Sequence, residues 1–200
     1  MRLLLYDAII ARLSRIVLLD GAPHYPVGNE PTETLQEASP AILTFDLWNT
    51  NVETLTKQRP FNTPAVFIEF MPIVWQQLGN KTKRADVNFR LHIVTATFAP
   101  TASAYRSEAF YRFRLIQAVE RALVGFGAAP DYRGLSYGGC THAESFTDHN
   151  HERIIEDIEG WRLHCVDASA QVDSGLILTP HDVTLDDGDV YTAPFDEHYV

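Results

Sequence analysis

The stretch ADVNFRLHIVTAT, residues 85–97, alternates without a break. Val87, Phe89, Leu91 and Ile93 share one side of an extended chain, and Asp86, Asn88, Arg90 and His92 share the other. A period of two predicts a strand with one face buried and one turned to water or a partner. Upstream, AVFIEFMPIVW also alternates, with Val66, Ile68 and Phe70 opposed to Phe67 and Glu69. Between the two, LGNKTKR carries the turn pair Gly79-Asn80, so residues 65–97 read as a β-hairpin with a slightly long loop. The connection is too short for a parallel crossover, which makes the pairing antiparallel. Pro72 cannot donate to a ladder and marks an edge, a bulge or a strand end.

Outward from this hairpin, AILTFDLW is a short apolar run of strand character, followed by a polar piece holding Pro60 and Pro64. At the start of the chain, Leu4, Leu5, Ile9, Leu13 and Ile16 fall near one helical face, predicting an amphipathic helix through about Leu18 that Asp20-Gly21 stops. A polar connection over 22–40 then carries Pro23, Pro26, Pro31 and Pro40 and no Lys or Arg, and reads as an extended surface loop. On the other side, SEAFYRFRLIQAVERALVGF places Phe110, Phe113, Ile116, Val119 and Leu123 at helical spacing, with Arg112, Gln117, Glu120 and Arg121 off that stripe. Ser107 reads as its N-cap, and Gly125 and Gly127 as its end. GLSYGGCTHAESFTDHNHE reads as an irregular strand or loop, and IIEDIEGWRLHCV as a closing strand with Trp161, Leu163 and Cys165 inward.

This order of elements predicts an α+β domain over 1–170: an antiparallel (mixed) β-sheet with two helices packed on one face, and a long loop. Residues 171–200 form an acidic C-terminal extension. From Asp173 onward there are six Asp, one Glu and no Lys or Arg, yet Leu176, Ile177, Leu178, Tyr191 and Phe195 remain. That composition predicts an arm that packs on its own domain or on a neighbour. The net charge of −10 argues against a nucleic-acid partner, because phosphate affinity rests on clustered Lys and Arg. The basic cluster Lys81, Lys83 and Arg84 reads as a hairpin turn. Asp7, Arg12 and Arg15 interrupt the first apolar run, which fits neither a signal peptide nor a membrane span, so the expectation is a soluble protein made in the cytosol. Cys140 and Cys165 make no metal motif and are expected as two buried thiols.

Residues 142–151, HAESFTDHNH, are the densest collection of potentially reactive side chains. His142, Asp148, His149 and His151 are possible metal ligands, although no H-E-x-x-H spacing is present and His149 with His151 suits a strand face that borrows ligands from elsewhere. The simpler reading is a polar connection with Asp148 or Asn150 in turn conformations. His92 and His164 lie on expected strands and read as hydrogen-bonded sheet residues. Asp46, Glu53 and Glu69 are carboxylates that no spacing forces together, and Trp48, Trp75 and Trp161 read as core or sheet-edge packing. No nucleophile elbow, phosphate-binding loop or dinucleotide fingerprint occurs, so no catalytic residue and no cofactor is assigned.

The run DLWNTNVETLTKQRPFNTPAVFIEFMPIVWQQLGNKTKRADVNFRLHIVTAT, with the helix at the start, SEAFYRFRLIQAVERAL and the late strand around WRLHCV, resembles the tail-terminator (tail-completion, head–tail joining) proteins of tailed phages and prophages. The likeness spans residues 1–170 as an order of elements and is specific over 46–97; loop 22–40 and arm 173–200 have no counterpart. The resemblance implies a virion structural protein, not an enzyme, that forms a homo-oligomeric ring, commonly of six subunits, capping the tail tube and joining it to the neck or connector. It implies a place in the virion tail or neck, with host cytoplasm before assembly, and neither membrane nor sequence-specific nucleic-acid binding. Ring contacts need two different patches on each subunit. Lys81, Lys83 and Arg84 are expected to meet the acidic arm, with Asp182, Asp186, Asp187, Asp189 and Glu197, across such a contact. Two other classes stay open: a metal-binding module or metal-dependent enzyme on the His142–His151 cluster, and a cytosolic adaptor that binds through an exposed sheet edge.

Overall fold

The computed structural model describes residues 1–27, 38–49, 61–96, 102–128, 134–148 and 154–172, with the side chains of 102–105 and 172 excepted. The chain is α+β. Helix α1 (Arg2–Leu13) leads into a small hairpin of β1 (Val17–Leu19) and β2 (Ala22–His24). The main sheet contains β3 (Thr44–Leu47), β4 (Ala65–Phe70), β5 (Gln76–Gly79), β6 (Thr82–Ala96), β7 (Leu135–Asp148) and β8 (Ile154–Asp167). Helix α2 (Ala102–Leu123) sits between β6 and β7, and the short α3 (Ser169–Val172) follows β8, across the expected boundary at residue 170. The sheet order is β3-β4-β6-β8-β7, with β5 also on β6. All pairs are antiparallel except β3 with β4, whose long connection permits the parallel arrangement.

The hairpin expected over 65–97 is present, with Ala65 opposite Val94 and Phe70 opposite Phe89. Strand β4 ends just before Pro72, and β5 resumes the ladder toward a turn in which Gly79, Asn80 and Lys81 all have positive φ. Val66, Ile68, Val87, Phe89, Leu91 and Ile93 are all buried in one core with Leu5, Ile9 and Leu13 of α1 and Leu115, Val119 and Leu123 of α2. Both helices therefore cover the same face.

Four local expectations are corrected. Helix α1 stops at Leu13 rather than near Leu18, and the loop expected from residue 22 begins as a strand. Asp20 and Gly21 take φ of 50° and 73° and join two strands, the geometry that Asp-Gly favours in tight hairpins. Adjacent Ile16, Val17 and Leu18 suit a strand, and Ala41 N–H donates to the Ile16 carbonyl at 3.0 Å. In α2 the buried stripe is Arg112, Leu115, Ala118, Val119, Ala122 and Leu123, while Phe110 and Phe113 stay 56% and 49% exposed. The helix also starts at Ala102, ahead of the expected cap Ser107. Its end at Gly125, with φ of 71°, is as expected.

The stretch around His142 is not a loop: residues 142–148 belong to β7. Register shifts between Gly138 and Thr141 and between His142 and Glu144 explain why its alternation is hard to read. Cys140 and Cys165 are free and buried, as expected. Burial pushes their thiols up to about 12 and about 11, with Asp167 adding to the shift at Cys165.

Candidate functional site: the carboxylates of β8 and the edge strand β7

Residues 154–161 of β8 are buried at every position, including Glu156, Asp157 and Glu159 at 2–3% exposure. Successive strand residues point to opposite faces, so these carboxylates lie on two sides of the sheet. Each is matched by a hydrogen-bonding or cationic partner, the condition under which a buried charge is tolerated.

On the face away from the helices, Glu156 Oε1 lies 2.5 Å from His92 Nδ1. The other ring nitrogen of His92 is 3.3 Å from Glu69 Oε2. Trp48 stacks flat on the imidazole, with centroids 3.8 Å apart and planes 3° from parallel. Arg90 extends the group, pairing with Glu144 at 3.2 Å and Glu69 at 3.9 Å and lying over the Phe146 ring. Glu144 reaches Arg90 across Gly160, where an added Cβ would stand 2.5 Å from Glu144 Cγ. The sequence places His92 with Asn88, Arg90 and Glu69 on a face open to water; His92 is instead 4% exposed. Trp48, carried in by β3, is what covers it.

On the helix face, Asp157 accepts a hydrogen bond from Thr147 Oγ1 at 2.7 Å. Arg112 Nε approaches the other oxygen of Asp157 at 3.2 Å, but its N–H is not aimed at that oxygen, so the contact is an ion pair rather than a directed hydrogen bond. Glu159 meets His142 Nε2 at 2.7 Å and accepts a hydrogen bond from Ser145 Oγ. Ser145 Oγ is also 3.2 Å from the same His142 nitrogen. A Ser-His-Glu trio invites comparison with a hydrolase relay, but a relay needs serine and carboxylate on opposite ring nitrogens. Here both crowd Nε2, which braces β7 on β8 and cannot pass a proton from one to the other. The His142 ring packs on Trp161, 4.8 Å away, and Trp161 Nε1 is buried without a hydrogen-bond partner among the described residues.

The possible metal ligands divide. His142 is opposite Trp161 on the helix side, whereas Asp148 is opposite Glu156 on the other side. Six strand residues separate them, roughly 20 Å at ordinary strand rise, so the two do not converge on one ion. His149 and His151 lie outside the described residues, and no group of three metal-binding side chains occurs among those described. Of the basic cluster, Lys81 is exposed at the hairpin tip, Lys83 pairs with Asp167 at 3.4 Å and lies over Trp75, and Arg84 Nε donates to Gln76 at 3.0 Å. Asp182, Asp186, Asp187, Asp189 and Glu197 lie outside the described residues, as does Glu53. Asp46 accepts a hydrogen bond from the Leu47 amide at 2.8 Å, and exposed His164 pairs with Asp86 at 2.5 Å.

Sequence reasoning missed the buried carboxylates of β8 and Arg112. The available signal was Glu156, Asp157 and Glu159 set among Ile154, Ile155 and Ile158, with histidines on both neighbouring strands.

Among the described residues, the outer side of β7 is covered along only half its length. Gly125 N–H donates to the Cys140 carbonyl at 2.9 Å, and Ala128 and Tyr137 exchange hydrogen bonds of 2.7 and 3.2 Å. Gly127 permits this approach, since a Cβ there would meet Gly138 Cα at 2.6 Å. Beyond it, the backbone of residues 141–147 has no outer strand among the described residues, and the side chains there are exposed.

No protein-family model matches the chain, and no curated protein matches it. Among solved structures, it is similar to a chain in the virion of a native gene transfer agent particle, at 13% identity and a TM-score of 0.36. That match covers 62% of this chain and 78% of the other.

Proposed function

We propose that this protein is a structural component of a tailed-phage or prophage particle, of the tail-terminator type. It acts as a homo-oligomeric ring that caps the tail tube and joins it to the neck. The observation that carries the reading is the open edge at residues 141–147, beside an α2 surface that exposes Phe110 and Phe113. An unpaired edge is a template for another chain. The histidines and carboxylates around it are committed to holding β7 on β8 rather than facing a substrate. The sequence resemblance supplies the type of particle, and the likeness to a chain of a gene transfer agent virion is in keeping with it. Partners on this reading are other copies of the chain, the tail tube and the connector. No helix among the described residues is long and apolar enough to cross a membrane.

Mass measurement of the pure protein in solution, with electron microscopy, tests the proposal. Rings are expected, and a strict monomer at every concentration overturns it. Ala143→Lys places a charge on the open edge and is expected to return the ring to monomers while leaving the circular dichroism spectrum unchanged.

A further inference from the structure

The small β1–β2 hairpin and the second half of α2 jointly line a cleft of about 340 Å³. One wall is a stripe of α2, where Arg114, Gln117 and Arg121 recur at the spacing of a single helical face. All three are exposed. The buried Pro23, Tyr25 and Ala118 add an apolar surface between that stripe and the hairpin.

The charge gathered here runs against that of the whole chain, whose net value is −10. Two further arginines, Arg12 on α1 and Arg15 just past it, lie on the ring of Tyr25, at 5.0 and 5.4 Å from its centre. Arg12 Nε donates to the Ala122 carbonyl at 2.9 Å, and Arg15 Nη1 donates to the Tyr25 hydroxyl at 3.3 Å. These partners are neutral, so both charges are oriented without being cancelled. Among the described residues, no carboxylate forms an ion pair with Arg12, Arg15, Arg114 or Arg121. Asp20 is the one acidic group in the lining. The helix dipole favours a cation such as Arg121 in the last turn of α2, but it gives no reason for Arg114 two turns earlier on the same stripe.

We propose that this cleft binds an acidic peptide segment of a partner protein, with two carboxylates held by the guanidinium groups of Arg114 and Arg121. The planar fork of a guanidinium matches a carboxylate with two parallel hydrogen bonds. Seven residues of helix separate the two arginines by about 10 Å along the axis. Three residues of extended peptide span roughly the same distance. Gln117 lies between the arginines, with an amide able to pair with the peptide backbone. An apolar side chain between the two acids would rest on Pro23 and Ala118. The volume admits only a few residues, and the net negative charge of the chain repels a long polyanion, so a short acidic segment fits better than nucleic acid. The cleft shares no residue with the open edge of β7, and the assignment does not depend on ring formation.

Fluorescence anisotropy of the full chain with a labelled hexapeptide, Glu-Glu-Leu-Glu-Glu-Leu, tests it. Saturable binding is expected, weakening as salt rises from about 50 mM to about 500 mM. Arg114→Ala and Arg121→Ala change exposed side chains, so the circular dichroism spectrum should be unaltered. Each is expected to weaken binding about ten-fold, and the two together about a hundred-fold. Arg162→Ala removes an exposed cation on β8 and is expected to leave binding unchanged. No saturable binding up to about 1 mM peptide overturns the proposal. An equal loss in Arg162→Ala also overturns it, since the attraction would then be diffuse. So does tighter binding of a short oligothymidylate through the same two arginines, which would assign the cleft to phosphate. Rings that form without binding the peptide would sink this site and leave the ring reading standing.

Discussion

Two histidine–carboxylate pairs bridge the same two strands, β6 and β8, at the same distance. His92 Nδ1 lies 2.5 Å from Glu156, and His164 Nδ1 lies 2.5 Å from Asp86. The first pair has side chains 5% and 4% exposed, and the second 69% and 55%. Geometry alone would rank them equal, but solvent does not. An exposed pair gains modest Coulomb energy in a high dielectric, and losing one member leaves the other hydrated. A buried pair that loses one member leaves the other stranded, because water cannot replace the missing partner. The lesson concerns Trp48, whose arrival from β3 separates the two outcomes.

The largest expected effect is therefore the difference between two alanine substitutions. His92→Ala removes the partner of Glu156 and a ring that Trp48 covers, and is expected to cost about 3–5 kcal/mol of folding stability. His164→Ala is expected to cost no more than about 1 kcal/mol. Urea denaturation of both variants at neutral pH measures the gap. Similar losses would mean that the cover over His92 does not exclude water and that the comparison fails.

Trp48→Ala tests the cover itself, with a smaller expected loss. Trp48 is only partly buried, so lost packing is expected to cost about 2–3 kcal/mol, below the range for a fully buried tryptophan. The sharper quantity is the coupling between positions. If Trp48 keeps water from the pair, His92→Ala should cost less in the Trp48→Ala background than in the native one, with a coupling of about 1 kcal/mol or more. Additive losses would show that Trp48 contributes packing alone.

The same contrast explains what the sequence revealed. Alternation over 85–97 fixed β6, its partner β4 and the core face, because apolar burial under the helices repeats every second residue. The other face was misread at His92, since the residue that covers it, Trp48, directly follows β3, whose place in the sheet no local pattern specifies. Arg112 and the Phe110–Phe113 stripe were misread for a related reason. A buried carboxylate on β8, invisible from within the helix, draws Arg112 inward and sets the phase of α2. Residues 142–148 hid their strand character behind two register shifts, which break the period that identifies a strand. Local periodicity reports burial by apolar neighbours; it does not report burial by a polar partner on a distant strand.

Lys83 and Asp167 lie between the two extremes, and they give the smallest effect and the only one that pH can read directly. Asp167 is nearly buried and Lys83 is 38% exposed, at 3.4 Å. Burial pushes the Asp167 carboxyl up, but hydrogen bonds from the Ser169 hydroxyl and amide, together with the Lys83 ammonium, outweigh it and leave the group below its ordinary value. A lowered folded-state value means that the unfolded chain takes up the proton first. The stabilisation is therefore fully present above the ordinary aspartate value of about 3.9 and is lost as pH falls below it, through the lower folded value. Lys83→Met keeps the stem over Trp75 and removes the charge, and is expected to cost at most about 1 kcal/mol at pH 7. That cost should shrink once Asp167 is protonated, whereas a pure packing loss would persist unchanged into acid. Thermal melts of the native chain and Lys83→Met across that acid range separate the two. A cost independent of pH would place this pair's value in the aliphatic stem on Trp75 rather than in its charge.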